Sequence, residues 1–442
     1  MKKFLIILIA IIISIFYILP VSAAATPYPA IESEAAVLMD VRTGQVLFQK
    51  NMEEQLYPAS ITKIITVLLG IENGNLNDTI TMSREAVFSI GRGSSHIALD
   101  TGEQITLEQA LMAAMLPSAN EASNGIAEHI SGSIPEFVTL MNKRAAEAGA
   151  LHTNFANTNG LPNDKHVTTA YDMAMITKAA LMNDQFRTIF GTLKYEIPPT
   201  NKQSKTRYLF AEHKMLKNGR YEYNGVIGGK TGYTKEAQFT LVTAARRGDR
   251  ELIVVVLKSL NTTGIYKDTK TLLDYGFDEF AETQIMLPVI TKDNLTNAPD
   301  NFKTAQNIFN QFKDVTYTRL LHKNIDVNDI VIDYTAVDDP AATNPQLKID
   351  MHLKNQSDLM YSSLGSILLE NPPPAPISFW SRLLNFVLII IKIIVAVIVV
   401  IFMSLFALRW FIKVRRNMRK KYGVIDTRRK RATRFNYNES ND

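Results

Sequence analysis

The stretch YPASITKIITVLLG, residues 57–70, opens like a helix start and then turns apolar at almost every position. Pro58 suits such a start, where its missing N–H costs nothing. Ser60 and Lys63 stand in the first turn, on one helix face, where residues three apart have Cβ atoms about 5–6 Å apart. Ile61, Ile64, Ile65 and Val67 would strip water from the lysine and lower its pKa, leaving neutral amine able to take a proton from the serine. A plainer reading has Ser60 capping the helix and Lys63 snorkelling to water. Ser-x-x-Lys arises by chance about once or twice in a chain this long, so the pair needs support from elsewhere.

The flanking sequence frames this helix. Residues 35–39 and 45–48 read as two short strands around Arg42-Thr43-Gly44, a hairpin. From Ser60 to about Phe190 the chain reads as mostly helical, with apolar residues at helical spacing in 106–116, 119–130, 135–148 and 169–182. Strands return at 239–245 and 252–257 about the turn Arg247-Gly248-Asp249, and 271–280 reads as a closing helix end. Strands from both ends with helices between them predict one α/β domain whose terminal strands share a sheet. A boundary falls near Ala281. Beyond it QLKIDMHL, residues 346–353, alternates strictly, while Ile325/Val327 and Ile330/Ile332/Tyr334 repeat the two-residue period. That predicts a small β-rich module over 281–370, with no catalytic constellation of its own. The run NPPPAP then opens a stiff spacer over 371–382.

Two apolar segments bear on the compartment. Residues 1–25 combine Lys2 and Lys3, a long apolar run and the small residues Val21-Ser22-Ala23, a secretory signal pattern, with an uncleaved anchor as the alternative. Residues 383–408 are long enough to span a bilayer as a helix; their one charge, Lys392, would snorkel to an interface or act within the membrane. The chain's net charge of +5 hides an asymmetry: residues 409–442 alone hold 12 basic and 3 acidic side chains. A Lys/Arg cluster after a span marks the cytoplasmic side and can touch anionic lipid. The expected topology is therefore an outward-facing domain, a single span and a basic cytoplasmic tail. Nucleic-acid binding by that tail is the poorer alternative. The 442 residues include no cysteine, which excludes disulfides, thiol catalysis and Cys-based zinc sites. The seven histidines show no tight ligand spacing, so neither a metal nor another cofactor is expected.

Two further motifs support Ser60 and Lys63. MLPSANEASNG places Ser118-Ala119-Asn120 in a turn between two predicted helices, and GVIGGKTGYTKEAQFTLV places Lys230-Thr231-Gly232 at a strand. Each alone could be an ordinary turn or edge strand. The order Ser-x-x-Lys, Ser-x-Asn, Lys-Thr-Gly in one exported domain resembles penicillin-binding proteins and class A β-lactamases. The wording of YPASITKIITVLL, NTNGLPNDKHVTTAYDMA and GVIGGKTGYTKEAQFTLVTAA is similar to that of the serine-type D-alanyl-D-alanine carboxypeptidases, the low-molecular-mass penicillin-binding proteins. The likeness covers residues 35–280, within a catalytic domain expected over 26–280, and, more loosely, the module after it.

This resemblance implies a penicillin-binding-like α/β (α+β) fold with an antiparallel sheet flanked by helices. It also implies removal of the terminal D-alanine from peptidoglycan stem peptides, with β-lactams as covalent inhibitors. Ser60 would be the acylated nucleophile, Lys63 its base and Ser118 a proton carrier. Asn120 would hold Lys63 and the substrate amide, Lys230 and Thr231 the terminal carboxylate. Gly232 would leave room for the substrate backbone, and the N–H groups of Ser60 and Tyr233 would form the oxyanion hole. One departure stands out: the family's arginine for the carboxylate is absent from KSLNTTGIYKDTK, where only Lys258 or Lys267 could replace it. A β-lactamase is the nearest rival, but no glutamate lies between Glu147 and Glu196 to activate a deacylating water. A transpeptidase differs only in its acceptor. A non-enzymatic membrane scaffold acting through the basic tail is the rival of another class.

Overall fold

The computed structural model describes residues 28–291, 293–296, 302–337, 346–354, 363–370, 399 and 401–419. The expected leader, the spacer, and most of the expected span and tail lie outside these residues. Strands β1 (Ala35–Asp40) and β2 (Val46–Lys50) form the predicted hairpin. A 3₁₀ turn, Ala59–Thr62, runs into helix α1 (Lys63–Asn73). The ribbon β3 (Thr79–Thr81) and β4 (Gln104–Thr106) brackets α2 (Arg84–Phe88). Helices α3 (Leu107–Met115), α4 (Asn120–Ser131), α5 (Ile134–Glu147), α6 (Ala170–Ala180) and α7 (Asp184–Gly191) follow. A second ribbon, β5 (Lys194–Ile197) and β6 (Arg207–Phe210), precedes the strands β7 (Val226–Thr234), β8 (Gln238–Arg247) and β9 (Arg250–Ser259) and the helix α8 (Thr262–Asp278). That helix starts well before the predicted residue 271, because Asn261 caps it by accepting from the Gly264 N–H at 2.7 Å.

The main sheet has the order β2-β1-β9-β8-β7, with every neighbouring pair antiparallel. Its middle strand β9 carries an unbroken apolar run, Leu252–Leu257, because both faces are covered. Ile253, Val255 and Leu257 face one core together with the helices α1 and α3 to α7; Leu252, Val254 and Val256 face a second core with α8. The two-residue period of a strand divides one sequence between two cores.

Helix α1 is buried on every side, with each residue from Lys63 to Ile71 inside. A Cβ on Gly70 would stand 2.7 Å from Leu111 and 3.1 Å from Ile126, so α3 and α4 grip α1 closely. Burial of each Ile, Leu or Val here contributes roughly 1.5–3 kcal/mol. Packing of this strength fixes where the first residue of the helix, Lys63, must point.

Beyond α8 the chain forms β10 (Phe280–Met286), β11 (Leu295–Thr296), α9 (Phe302–Phe312), β12 (Thr316–His322), β13 (Ile330–Val337), β14 (Gln346–Leu353) and β15 (Ser363–Glu370). Leu347, Ile349, Met351 and Leu353 are buried as their alternation predicts. Ile325 and Val327 are not in a strand. The Asp326 carboxylate accepts from the Asn328 N–H at 2.9 Å and starts a 3₁₀ turn, Val327–Asp329, in place of a ladder. This β-rich part shares the second core with α8. Gln45 stitches the two together, donating to the Leu320 carbonyl at 2.6 Å and accepting from its N–H at 2.9 Å. Residues 401–419 are helical, and among the described residues no helix is long and apolar enough to cross a membrane.

Candidate active site

The turn that carries Ser60 is a strained stretch of backbone with supports on three sides. Ala59, just before Ser60, has φ +51, a left-handed conformation that costs a non-glycine residue about 1–3 kcal/mol. Thr240 Oγ1 on β8 donates to the Pro58 carbonyl at 2.8 Å. Thr62 Oγ1 donates to the Ala59 carbonyl at 2.8 Å. Gly160, with φ +88, lies against the same carbonyl, where a Cβ would come within 1.9 Å of the oxygen. Behind Thr62 stands His166, its Nε2 2.8 Å from Thr62 Oγ1. Its Nδ1 accepts from the Ala156 N–H at 3.0 Å, which puts the ring proton on Nε2. Burial, then the charge of Lys63, lowers the His166 pKa to about 4, so the ring is neutral.

Lys63 lies fully buried beneath Ser60. Its Nζ is 3.0 Å from Ser60 Oγ, 2.7 Å from Asn120 Oδ1 and 2.7 Å from the Asn159 carbonyl oxygen. The two shorter contacts end on oxygens that only accept, so they take two N–H bonds. The third can run either way: an ammonium donates to Ser60, and a neutral amine accepts the Ser60 proton. Burial, then the charge of Lys230, lowers the Lys63 pKa well below the usual lysine range, against the opposing pull of Glu212 and Glu121. Ser60 is thus no side-chain cap; its oxygen is engaged by the lysine.

Ser118 sits between α3 and α4 with φ +65. Its Oγ accepts from Lys230 Nζ at 3.0 Å, and the same ammonium donates to the Thr231 carbonyl at 3.0 Å. Burial lowers the Lys230 pKa to about 8, against the opposing pull of Glu212. Asn120 opens α4, and its N–H donates to the Ser95 carbonyl at 2.9 Å. The next residue, buried Glu121, accepts from the N–H groups of Ile97 at 2.7 Å and Leu99 at 3.4 Å. The start of α4 therefore also holds the loop that bears Ser94 and Ser95, a wall of the groove.

Strand β7 is the edge of the main sheet and carries Lys230, Thr231, Gly232 and Tyr233. A groove of about 490 Å³ runs between it and the Ser60 turn, lined by Ser60, Ser118, Asn120, Thr231, Gly232 and Tyr233 among others. Lys63 and Lys230 lie behind this lining, each buried. Gly232 has a further reason to lack a side chain: a Cβ there would stand 2.3 Å from Thr240 Oγ1 and 2.9 Å from the Ser60 nitrogen. The glycine lets the strand close on the Ser60 turn itself. Tyr233 is exposed and packs on Phe239, with ring centres 4.6 Å apart.

Neither lysine considered as the missing carboxylate anchor lines the groove. Lys258 pairs with Glu34 at 2.8 Å and Lys267 with Glu32 at 3.3 Å. Their glutamates lie in the segment leading to β1, more than two hundred residues away, so no local pattern reveals the pairs. Sequence reading also passes over Thr62, Asn159, Gly160, His166, Glu212 and Thr240. The quoted stretch NTNGLPNDKHVTTAYDMA holds three of them, and its asparagine-glycine pair signals a turn, but nothing local shows that it folds under Ser60.

The sequence profile of the D-alanyl-D-alanine carboxypeptidases, peptidase S11, matches residues 21–261. D-alanyl-D-alanine carboxypeptidase DacF of Bacillus subtilis is 34% identical over 305 residues, 68% of this chain and 75% of that protein. DacC of Escherichia coli is 31% identical over 266 residues, 58% of this chain and 63% of that protein. Among solved structures, the Streptomyces K15 DD-transpeptidase superposes with a TM-score of 0.54 at 29% identity, over 57% of this chain and 99% of that one. A D-alanyl-D-alanine carboxypeptidase from Mycobacterium tuberculosis gives 0.53 at 28% identity, over 58% and 94%. The chain belongs to the D-alanyl-D-alanine carboxypeptidase family.

Proposed function

We propose that this protein is a serine-type D-Ala-D-Ala carboxypeptidase that removes the terminal D-alanine of peptidoglycan stem peptides through an acyl-enzyme on Ser60. The observation that carries this is the Lys63 ammonium, with two N–H bonds anchored on Asn120 and Asn159 and its third position 3.0 Å from Ser60 Oγ. In its neutral form Lys63 takes the Ser60 proton as Oγ attacks the carbonyl of the penultimate D-alanine. The N–H groups of Ser60 and Tyr233 receive the oxyanion. The C–N bond breaks, and the departing amine takes a proton relayed through Ser118, which lies on Lys230. Water then attacks the ester, returns the acid and restores Ser60. Asn120 orients the substrate amide, and Lys230 with Thr231 faces the substrate's terminal carboxylate. No metal or other cofactor enters this scheme.

The β-lactam ring would enter as a stem-peptide mimic and leave its acyl group on Ser60. The segment 154–169 supplies Asn159, Gly160 and His166 to the site and contains no glutamate to activate water, so hydrolysis of that adduct is slow. The test is mass spectrometry of the full chain after penicillin: an adduct on the peptide holding Ser60, absent from Ser60→Ala, is expected. An adduct that persists in folded Ser60→Ala sinks the assignment.

The same proposal puts the catalytic domain outside a membrane, with residues 1–25 as export signal, 383–408 as a transmembrane helix and 409–442 inside. The 12 basic residues after position 408 support that orientation. Protease added to intact spheroplasts should remove the catalytic domain and spare a C-terminal epitope; loss of the epitope without lysis would reverse the topology.

A further inference from the structure

Gly93, Ser94 and Ser95 form one wall of the groove, and their loop packs little. A Cβ on Gly91 or Gly93 would meet no atom within 4 Å, and Arg92, Ser95, His96 and Ala98 are exposed. What holds the loop is polar. Ala98 has φ +57, and on either side of this left-handed residue the N–H groups of Ile97 and Leu99 donate to one oxygen, Glu121 Oε1, at 2.7 and 3.4 Å. The carbonyls of the same turn are taken by Arg207. Its Nε donates to Ile97 at 2.9 Å and its Nη2 to Ala98 at 2.8 Å. One short turn thus has its donors on a carboxylate and its acceptors on a guanidinium.

Both halves of this clamp are themselves fixed. Arg207 on β6 is paired with Glu103, a fully buried carboxylate, at 2.7 and 3.0 Å. Glu121 is buried in α4 directly after Asn120, whose Oδ1 accepts from Lys63 Nζ and whose N–H donates to the Ser95 carbonyl. The other oxygen of Glu121, Oε2, is buried with no partner among the described residues. A carboxylate half satisfied in the interior costs stability, so packing alone does not call for one here. What the carboxylate supplies is charge-assisted hold on two N–H groups of the wall.

We propose that Glu121 is a positioning residue for acyl transfer: its buried carboxylate fixes the wall 93–99 to the helix turn that presents Asn120, and thereby sets how the groove grips the acyl part of its ligand. Glu121 does not line the groove and acts through the loop. The inference rests on the acyl-transfer reading, which puts the substrate amide at Asn120, beside this wall.

The experiment follows acylation of the full chain by two compounds: benzylpenicillin, which carries an acyl side chain, and the bare penicillin nucleus with its amine unacylated. Glu121→Ala should slow acylation by benzylpenicillin about tenfold or more, and by the bare nucleus less than about threefold. Glu121→Gln keeps an oxygen for the two N–H groups and should bring benzylpenicillin back to within about threefold of wild type. An equal fall for both compounds would make Glu121 a general support of the fold and overturn the proposal. A Gln variant as slow as the Ala variant would overturn it too, because the charge and not the hold would then matter. If Glu121→Ala does not fold, hydrogen exchange of wild type decides: the Ile97 and Leu99 amides should exchange at least about tenfold more slowly than that of Gly93, each relative to its unfolded rate, and equal rates would mean no clamp. If benzylpenicillin leaves no adduct on Ser60 of wild type, the acyl-transfer reading falls and takes this one with it. An adduct formed at the wild-type rate in folded Glu121→Ala removes the Glu121 assignment alone.

Discussion

His166 and Ala59 are joined through one hydroxyl: His166 Nε2 lies 2.8 Å from Thr62 Oγ1, which donates at 2.8 Å to the carbonyl of Ala59. The residue carrying that carbonyl is the left-handed one that presents Ser60. Loss of the Thr62 hydroxyl in Thr62→Val should slow acylation by penicillin about tenfold with little change in the binding that precedes it, and Thr62→Ser should restore it. His166→Phe should slow it by a similar factor, and the double variant should be no worse than either alone. Additive losses would mean that the two residues act separately.

The same histidine predicts a pH dependence of stability. His166 has a folded pKa of about 4 and His213 one of about 3, both lowered first by burial. An unfolded histidine titrates near 6.5, so between about 6.5 and those values the unfolded chain binds more protons than the folded one. Stability contributed by the neutral rings is full above pH 6.5 and is lost as pH falls toward 4 and 3. In full the loss is about 3 kcal/mol for His166 and about 5 kcal/mol for His213, reached only below those pKa values. Urea unfolding at pH 7 and pH 5 should differ, and His166→Gln should reduce the difference; an unchanged difference removes His166 as a source.

Lys63→Arg tests the base. Arginine keeps a positive charge but cannot be neutral at any working pH, so it cannot accept the Ser60 proton. Acylation should fall by about 10²–10⁴-fold, the range for loss of a general base. Circular dichroism should confirm that the variant is folded. A variant acylated at the wild-type rate would show that another group takes the proton.

Lys230, with its pKa lowered to about 8, should lose its charge as pH rises through that value. Capture of anionic ligands should weaken above pH 8, seen as a rising KM for an acid peptide ending in D-Ala-D-Ala, while KM for its C-terminal carboxamide stays flatter. A KM for the acid that is level to pH 10 would place the positive charge elsewhere.

Gly232→Ala probes the close approach of β7 to the Ser60 turn. The added Cβ would meet Thr240 Oγ1 at 2.3 Å and the Ser60 nitrogen at 2.9 Å. Overpacking of this kind costs about 1–3 kcal/mol, and the strain falls on the groups that hold Ser60. A lower melting temperature together with a loss of acylation is expected; unchanged acylation would mean that the strand shifts away freely.

Much of this protein could be read from local sequence because its signals are local. The apolar filling of 61–71 marks a buried helix, the run 252–257 a strand covered twice, and Ser60 with Lys63 a one-turn pair. Residues this near in sequence meet whatever the rest of the chain does. The small ribbons β3–β4 and β5–β6 left no such mark, since strands of three or four residues are too short to show a period. What lies across the fold was decided only by packing. Asn159 reaches Lys63 and His166 reaches Thr62, each from about a hundred positions away, and Lys258 and Lys267 are claimed by Glu34 and Glu32 from the other end of the domain's sequence. Glu212 reads as an ordinary charged residue after a strand until the segment rooted by His213 sets it on the Thr231 hydroxyl. The composition of a chemical site can be written in short motifs, but the charges that face its ligand come from separate elements, and their distances exist only once the sheet and helices have closed.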